Sequence, residues 1–173
     1  MVTKNEPERQ LEGFIAKYSP EVAGLAREIR ARMLAKYPAA LELVYDNYNA
    51  LAIGYGPTEK TSEAVFSIAL FPRWVSLFFL QGAAGLPDPG RILKGSGNVV
   101  KHVVLPSADA LEHPAVRAVM QEAVARAKVP FSKDGAHRLI IKSISEKQRP
   151  RRPAAAAAKR ATGSKRKTAS VKR

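Results

Sequence analysis

The chain has 173 residues, and its 29 lysines and arginines against 15 aspartates and glutamates give a formal net charge of +14. It contains no cysteine, which excludes disulfides, thiolate zinc sites, cysteine nucleophiles and cysteine-ligated iron–sulfur clusters. One domain with an appendage is expected at this length, and the 46% of hydrophobic residues is enough to form a core.

Two amphipathic helices are predicted at the start of the chain. The first is indicated by Leu11, Phe14, Ile15 and Tyr18, which recur at helical spacing. Ser19 and Pro20 then suit the N-cap and the first position of a second helix, which closes before Pro38. One face of this second helix is apolar, with Val22, Leu25, Ala26, Ile29 and Met33.

From residue 41 the apolar residues alternate with a period of two, which predicts strands. LELVYD and ALAIGYG are joined by a turn at 47–49, and AVFSIALF and WVSLFFL are joined by a tight turn at 72–73. Four strands with short links predict an antiparallel meander. For Tyr45, Tyr55, Trp74 and Phe78 we favour core packing over base stacking, because the strands look buried.

The stretch ILKGSGNVVKHVVL follows a Gly/Pro loop. Asp88 is expected to cap a single helical turn through residues 91–93, which Gly95 ends with a positive φ, before a strand over 99–105. A nucleotide-phosphate loop is disfavoured, since no helix follows the glycines and GxxxxGK[ST] is absent. A small-anion site remains an alternative. Its candidate residues are Arg91, Lys94, Gly95, Ser96, Gly97, Lys101 and His102.

A last helix is predicted from His113-Pro114 and a last strand over Arg138–Ile144. Residues 145–173 then contain eleven basic residues and one acid, for a net charge of +10, whereas the rest carries eighteen against fourteen, for +4. This composition predicts a disordered tail that follows a phosphate backbone. The expected phosphate contacts are Arg149, Arg151, Arg152, Lys159, Arg160, Lys165, Arg166, Lys167, Lys172 and Arg173.

The order of elements, with LPDPGRILKGSGNVVKHVVL at its middle, resembles the YdhG-like family, a bacterial domain of largely unknown function with a frataxin-like fold. The resemblance covers about residues 11–127 and is most specific at 75–79, 93–97 and 101–102. It implies no catalytic residues, and the frataxin likeness implies iron binding as an alternative function. The composition of the tail is similar to that of Lys/Ala-rich linker-histone tails.

We therefore predict an α+β fold, with an antiparallel sheet of about five to six strands packed by N-terminal and C-terminal helices. The expected parts are a flexible N-terminus (1–7), a YdhG-like domain (8–144) and a disordered basic tail (145–173). The preferred function is a non-enzymatic binding module, without a cofactor or catalytic residues, whose tail binds nucleic acid. The alternatives are a frataxin-like iron chaperone, through acids such as Glu8 and Glu12, and the small-anion or enzymatic site at 91–102.

The location follows from what the sequence lacks. The first ten residues have no apolar signal-peptide segment, and the longest apolar run, WVSLFFL, is far shorter than the roughly 20 residues of a membrane span. We expect a cytoplasmic protein, with association to the nucleoid as a further option. The oligomeric state is left open.

Overall fold

The structure is a computed structural model that describes residues 6–154. Within that range the chain forms three α-helices and six strands. In chain order they are α1 (Glu6–Ile15), α2 (Pro20–Lys36), β1 (Leu41–Asp46), β2 (Leu51–Gly56), β3 (Phe66–Leu70), β4 (Val75–Phe79), β5 (Lys101–Leu105), α3 (Pro114–Ala125) and β6 (Arg138–Ile144). The α+β class is confirmed.

The six strands form one sheet in the order β5-β4-β3-β2-β1-β6. Strands β1 to β4 follow one another as antiparallel neighbours, which confirms the predicted four-strand meander, and β5 pairs antiparallel with β4 after a longer loop. The expectation of a purely antiparallel sheet is wrong, because β6 pairs with β1 in parallel. Four antiparallel steps give β5 the direction of β1, and the chain then returns through α3 to the far edge, where β6 runs in that same direction.

The helices pack on one face of the sheet. Alternate residues of neighbouring strands point to this helix face, and the row Val44, Ile53, Ile68 and Leu77 is fully buried there. Leucine and isoleucine from α1 and the apolar stripe of α2 belong to the same hydrophobic cluster. The opposite face, which we call the open face, carries the residues that alternate with this row.

The two N-terminal helices differ slightly from their predicted bounds. Helix α1 ends at Ile15, so Tyr18 lies in the connection, where it is nevertheless buried. Its hydroxyl donates to the carbonyl of Leu70 at 2.9 Å and accepts from the N–H of Leu51 at 3.0 Å, which ties the connection to the sheet. Ser19 caps α2 by accepting from the N–H of Val22, as predicted.

The predicted helical turn at 91–93 does not form. The carboxylate of Asp88 accepts from the N–H groups of Ile92 and Leu93 at 3.0 Å each, so it holds this loop together without capping a helix. Arg91 has a φ of 51°, which is incompatible with a right-handed helix. Gly95 has the expected positive φ, 113°, but it follows a β-bridge at Lys94 rather than a helix.

Candidate nucleic-acid interface

Strand β1 carries two carboxylates on the helix face of the sheet. Glu42 and Asp46 flank Val44 at intervals of two, and both are fully buried. Buried carboxylates need charged or hydrogen-bonding partners, because burial of an unpaired charge is very costly. The partners of each carboxylate therefore determine which distant segments pack against β1.

Asp46 is held by two cations. One Oδ atom accepts from Nη2 of Arg151 at 2.8 Å, and the other accepts from Nζ of Lys17 at 3.0 Å. The Arg151 side chain is 4% exposed, and its guanidinium lies 5.7 Å from the ring centroid of Tyr18. Its Nη1 also reaches the carbonyl of Tyr48. Arg151 is thus a structural residue of the domain.

The chain that leads to Arg151 is attached to the β1–β2 turn by its backbone as well. The N–H of Ser145 donates to the carbonyl of Asp46 and the N–H of Arg149 donates to the carbonyl of Tyr48, both at 2.9 Å. Gln148 adds a side-chain bond to the carbonyl of Asp46 at 3.2 Å. We call residues 145–154 the anchored segment. The structure therefore packs the chain well past 144, where the sequence predicts the domain to end.

The expected phosphate contacts separate into three groups. Arg151 is buried and paired with Asp46, whereas Arg149 and Arg152 are exposed. Arg149 lies over the ring of Tyr48, 5.5 Å from its centroid, and Arg152 donates to the carbonyl of Lys17. The other seven predicted contacts lie outside the described residues, as do residues 1–5 of the predicted flexible N-terminus.

Glu42 lies at the centre of a second buried cluster. Arg30 donates to both of its oxygens at 2.8 and 2.7 Å, and His137 Nε2 lies 2.8 Å from Oε1. An ionised carboxylate can only accept, so His137 carries its proton on Nε2. Tyr55 adds a hydroxyl at 3.1 Å, and Arg30 continues to Glu8 at 2.7 Å.

This cluster sets the protonation of its members. Burial alone would raise the pKa of Glu42, but the hydrogen bonds from His137 and Arg30 outweigh burial and lower it. Burial and the adjacent carboxylate raise the pKa of Tyr55 well above its usual value. The cluster is a hydrogen-bonded network around the Glu42 carboxylate that joins α1, α2, β1, β2 and the segment before β6.

The seven residues of the predicted anion site lie along a loop and a bridge. The backbones of Lys94 and His102 exchange hydrogen bonds at 2.8 and 2.9 Å, so that these two residues are cross-strand neighbours. Nζ of Lys101 donates to the carbonyl of Gly95, and the His102 ring stacks on Phe78 at 5.0 Å. The remaining members, Arg91, Ser96 and Gly97, are exposed.

The open face carries a groove that begins at the end of the sheet with the β1–β2 and β3–β4 turns and extends along β3 and β4 to Phe78 and Leu80. Its volume is about 570 Å³, and we call it the open-face groove. Its lining combines small side chains, two asparagines, a leucine and three aromatic side chains. The lining residues are Asn47, Tyr48, Asn49, Ala50, Ala52, Ser67, Ala69, Phe71, Phe78, Leu80 and Ser145.

Two of the aromatic residues at this groove are unusually exposed. Tyr48 is 48% exposed, and Trp74, which stacks on Phe71 with 5.1 Å between ring centroids, is 42% exposed. The preference for core packing thus suits Tyr55, which is fully buried, but not Trp74. The alternation of residues along β1 to β4 tells which residues share a face of the sheet, but it does not tell which of the two faces the helices cover.

The acidic residues of α1 are engaged with arginines. Glu6 pairs with Arg9, Glu12 pairs with Arg27, and Glu8 pairs with the buried Arg30. Among residues 6–154, no group of three or more metal-ligating side chains is arranged to hold a metal ion. In the same part of the chain, no helix is long and apolar enough to cross a membrane.

Comparison of this chain with protein-family models, with curated proteins and with solved structures finds no match.

Proposed function

We propose that this protein is a non-enzymatic nucleic-acid-binding protein, in which the α+β domain holds a cationic C-terminal segment at one end of the sheet. The observation that carries the proposal is the gathering of positive charge at that end. The anchored segment holds Arg149 at the β1–β2 turn and Arg152 at the carbonyl of Lys17, whose side chain contacts the end of β1. Lys147 is exposed between Ser145 and Arg149, and Arg73 is exposed in the neighbouring β3–β4 turn.

More positive charge comes immediately after the anchored segment in the sequence. Residues 155–173 contain seven lysines and arginines and no acid, so this segment adds +7 immediately after the anchored segment. Clustered cations on a chain bind phosphates mainly by releasing counterions, which needs no particular sequence in the nucleic acid. Arg151 anchors the chain that leads to this segment on the domain surface.

The test is a salt titration of nucleic-acid affinity for the full chain and for two matched variants. One variant ends at Ala154, which keeps the Arg151–Asp46 pair, and the other keeps all 173 residues but has its seven basic residues in 155–173 replaced by glutamine. With about six phosphate contacts, log K for duplex DNA should fall against log salt with a slope of about −5. Both variants should bind weakly and with a much shallower slope.

A small-anion site at the 94–102 bridge is a second candidate function. It is favoured by the direct opposition of Lys94 and His102, which brings an ammonium group and an imidazole to one side of the bridge. The test is a thermal shift with inorganic phosphate, which should disappear in Lys94→Ala and His102→Ala. Arg126→Ala is the control, because Arg126 lies at the end of α3, outside this bridge.

That this chain is related to YdhG-like proteins, with their frataxin-like fold, remains a prediction. It rests on the order of elements and on the short motifs at 75–79, 93–97 and 101–102.

A further inference from the structure

The open-face groove is a feature of the surface that the proposed function leaves unused. Its volume of about 570 Å³ falls within the roughly 300–1,000 Å³ of typical ligand sites. Tyr48 and Phe71 line it with aromatic surface, and Ala52 and Ala69 contribute small side chains. Trp74 is not a lining residue, but it stacks on Phe71 and so lies at the margin. A flat, apolar ligand with polar edges fits such a lining, since the two asparagines of the β1–β2 turn add amide groups.

The charge around the groove selects among such ligands. None of its eleven lining residues is charged, whereas the exposed Arg149 lies over Tyr48 and Arg73 directly precedes Trp74. The anchored segment reaches the groove through Ser145, and the cation-rich residues 155–173 follow the end of that segment directly. An uncharged flat group that is attached to negative charge therefore suits both the groove and its margin.

We propose that the open-face groove binds an unpaired base of single-stranded nucleic acid, by stacking against Tyr48 and the Phe71–Trp74 pair. This inference rests on the proposed function and specifies its substrate class. Aromatic side chains beside a cationic track are the common means of binding single strands, because every base offers a flat face. In a duplex the bases are already stacked and paired, so their faces are unavailable.

The length of residues 155–173 suits this occupant. A chain of 19 residues, the length of 155–173, can extend at most about 65 Å. It can therefore follow the phosphates of a strand whose base lies in the groove. A second copy of this protein is a poorer occupant, because the two copies would bring Arg73 and Arg149 of each chain to the same interface.

The experiment uses the full chain and the fluorescence of Trp74, the single tryptophan of the sequence. The probes are a thymidine oligomer of about 12 nucleotides, within the usual site sizes, a duplex of the same length, and inorganic polyphosphate of similar charge. We expect the single strand to quench Trp74 and to bind more tightly than the duplex. Polyphosphate should bind through residues 155–173 without quenching the fluorescence of Trp74.

Two variants locate the contact. Tyr48→Ala should weaken single-strand binding about 5- to 100-fold and leave polyphosphate binding unchanged. Its backbone carbonyl, which Arg149 and Arg151 use, is retained. Tyr48→Phe keeps the ring and should restore affinity, and Val99→Ala, an exposed apolar change outside the groove, should bind like the unaltered chain.

The other outcomes overturn the inference in distinguishable ways. If all three polyanions bind alike and Trp74 is not quenched, the tail binds phosphates but the groove binds no base. If none of them binds, the proposed function fails as well. If the Trp74 signal changes with protein concentration in the absence of nucleic acid, a second copy occupies the groove.

Discussion

Replacing Arg151 by alanine is the sharpest test of how the C-terminal chain is held. The substitution removes the cation that lies 2.8 Å from the fully buried Asp46. Breaking a buried pair costs about 3–5 kcal/mol, because the remaining charge stays buried. Lys17 still contacts Asp46 at 3.0 Å, so we expect the lower end of this range, about 3 kcal/mol.

That loss should be visible by calorimetry or circular dichroism. For a domain of this size, about 3 kcal/mol corresponds to a fall in Tm of roughly 6–12 °C. Arg152→Ala is the matched control, because Arg152 is exposed and makes a single bond to the carbonyl of Lys17, and it should change stability by less than about 0.5 kcal/mol. Equal Tm values for the two variants would refute the anchoring of residues 145–154.

The buried polar groups lead to two further predictions. The folded-state pKa of Glu42 is lowered, so its stabilisation is full above the unfolded pKa and is lost as pH falls through the folded pKa. In urea titrations, Glu42→Gln should therefore be less stable than the unaltered chain at neutral pH, and it should lose less stability than that chain on acidification. The control is Glu122→Gln, which removes a carboxylate from an exposed pair. Parallel pH profiles for Glu42→Gln and the unaltered chain would contradict this prediction. Tyr18→Phe should cost about 1–3 kcal/mol of unfolding free energy, because it leaves Leu51 N–H and Leu70 C=O without their partner, and an unchanged urea midpoint would contradict it.

Periodicity in the sequence is sufficient for most of the fold. Apolar residues at helical spacing locate α1 and α2, and alternation with turn residues locates the four strands of the meander. The parallel direction of β6 is missed by the sequence prediction, although it follows from counting antiparallel steps and one helical crossover. Local pattern identifies an element, whereas direction depends on the path of the whole chain.

The buried charges are harder to predict. Glu42 and Asp46 look like the polar side of a strand, and only their partners reveal that this side is the core face. Those partners lie far away in sequence: His137 is 95 residues from Glu42, and Arg151 is 105 residues from Asp46. Composition placed Arg151 in a solvated tail, because one buried arginine in a cationic segment has no local signature.

In the loop at 91–102, single residues are predicted well but the backbone conformation between them is not. The binding of backbone N–H groups by the Asp88 carboxylate and the positive φ of Gly95 both follow from residue type. The predicted helical turn between them is wrong, since Arg91 takes a left-handed conformation that the sequence does not indicate.

The most direct test of the proposed function is the affinity of nucleic acid for the full chain and for the chain that ends at Ala154, at about 50 mM and 200 mM salt. We predict tight binding by the full chain that weakens steeply with salt, and weak binding with a shallow salt dependence by the shortened chain. Equal affinities and equal slopes for the two chains would contradict the proposal that residues 155–173 carry the binding.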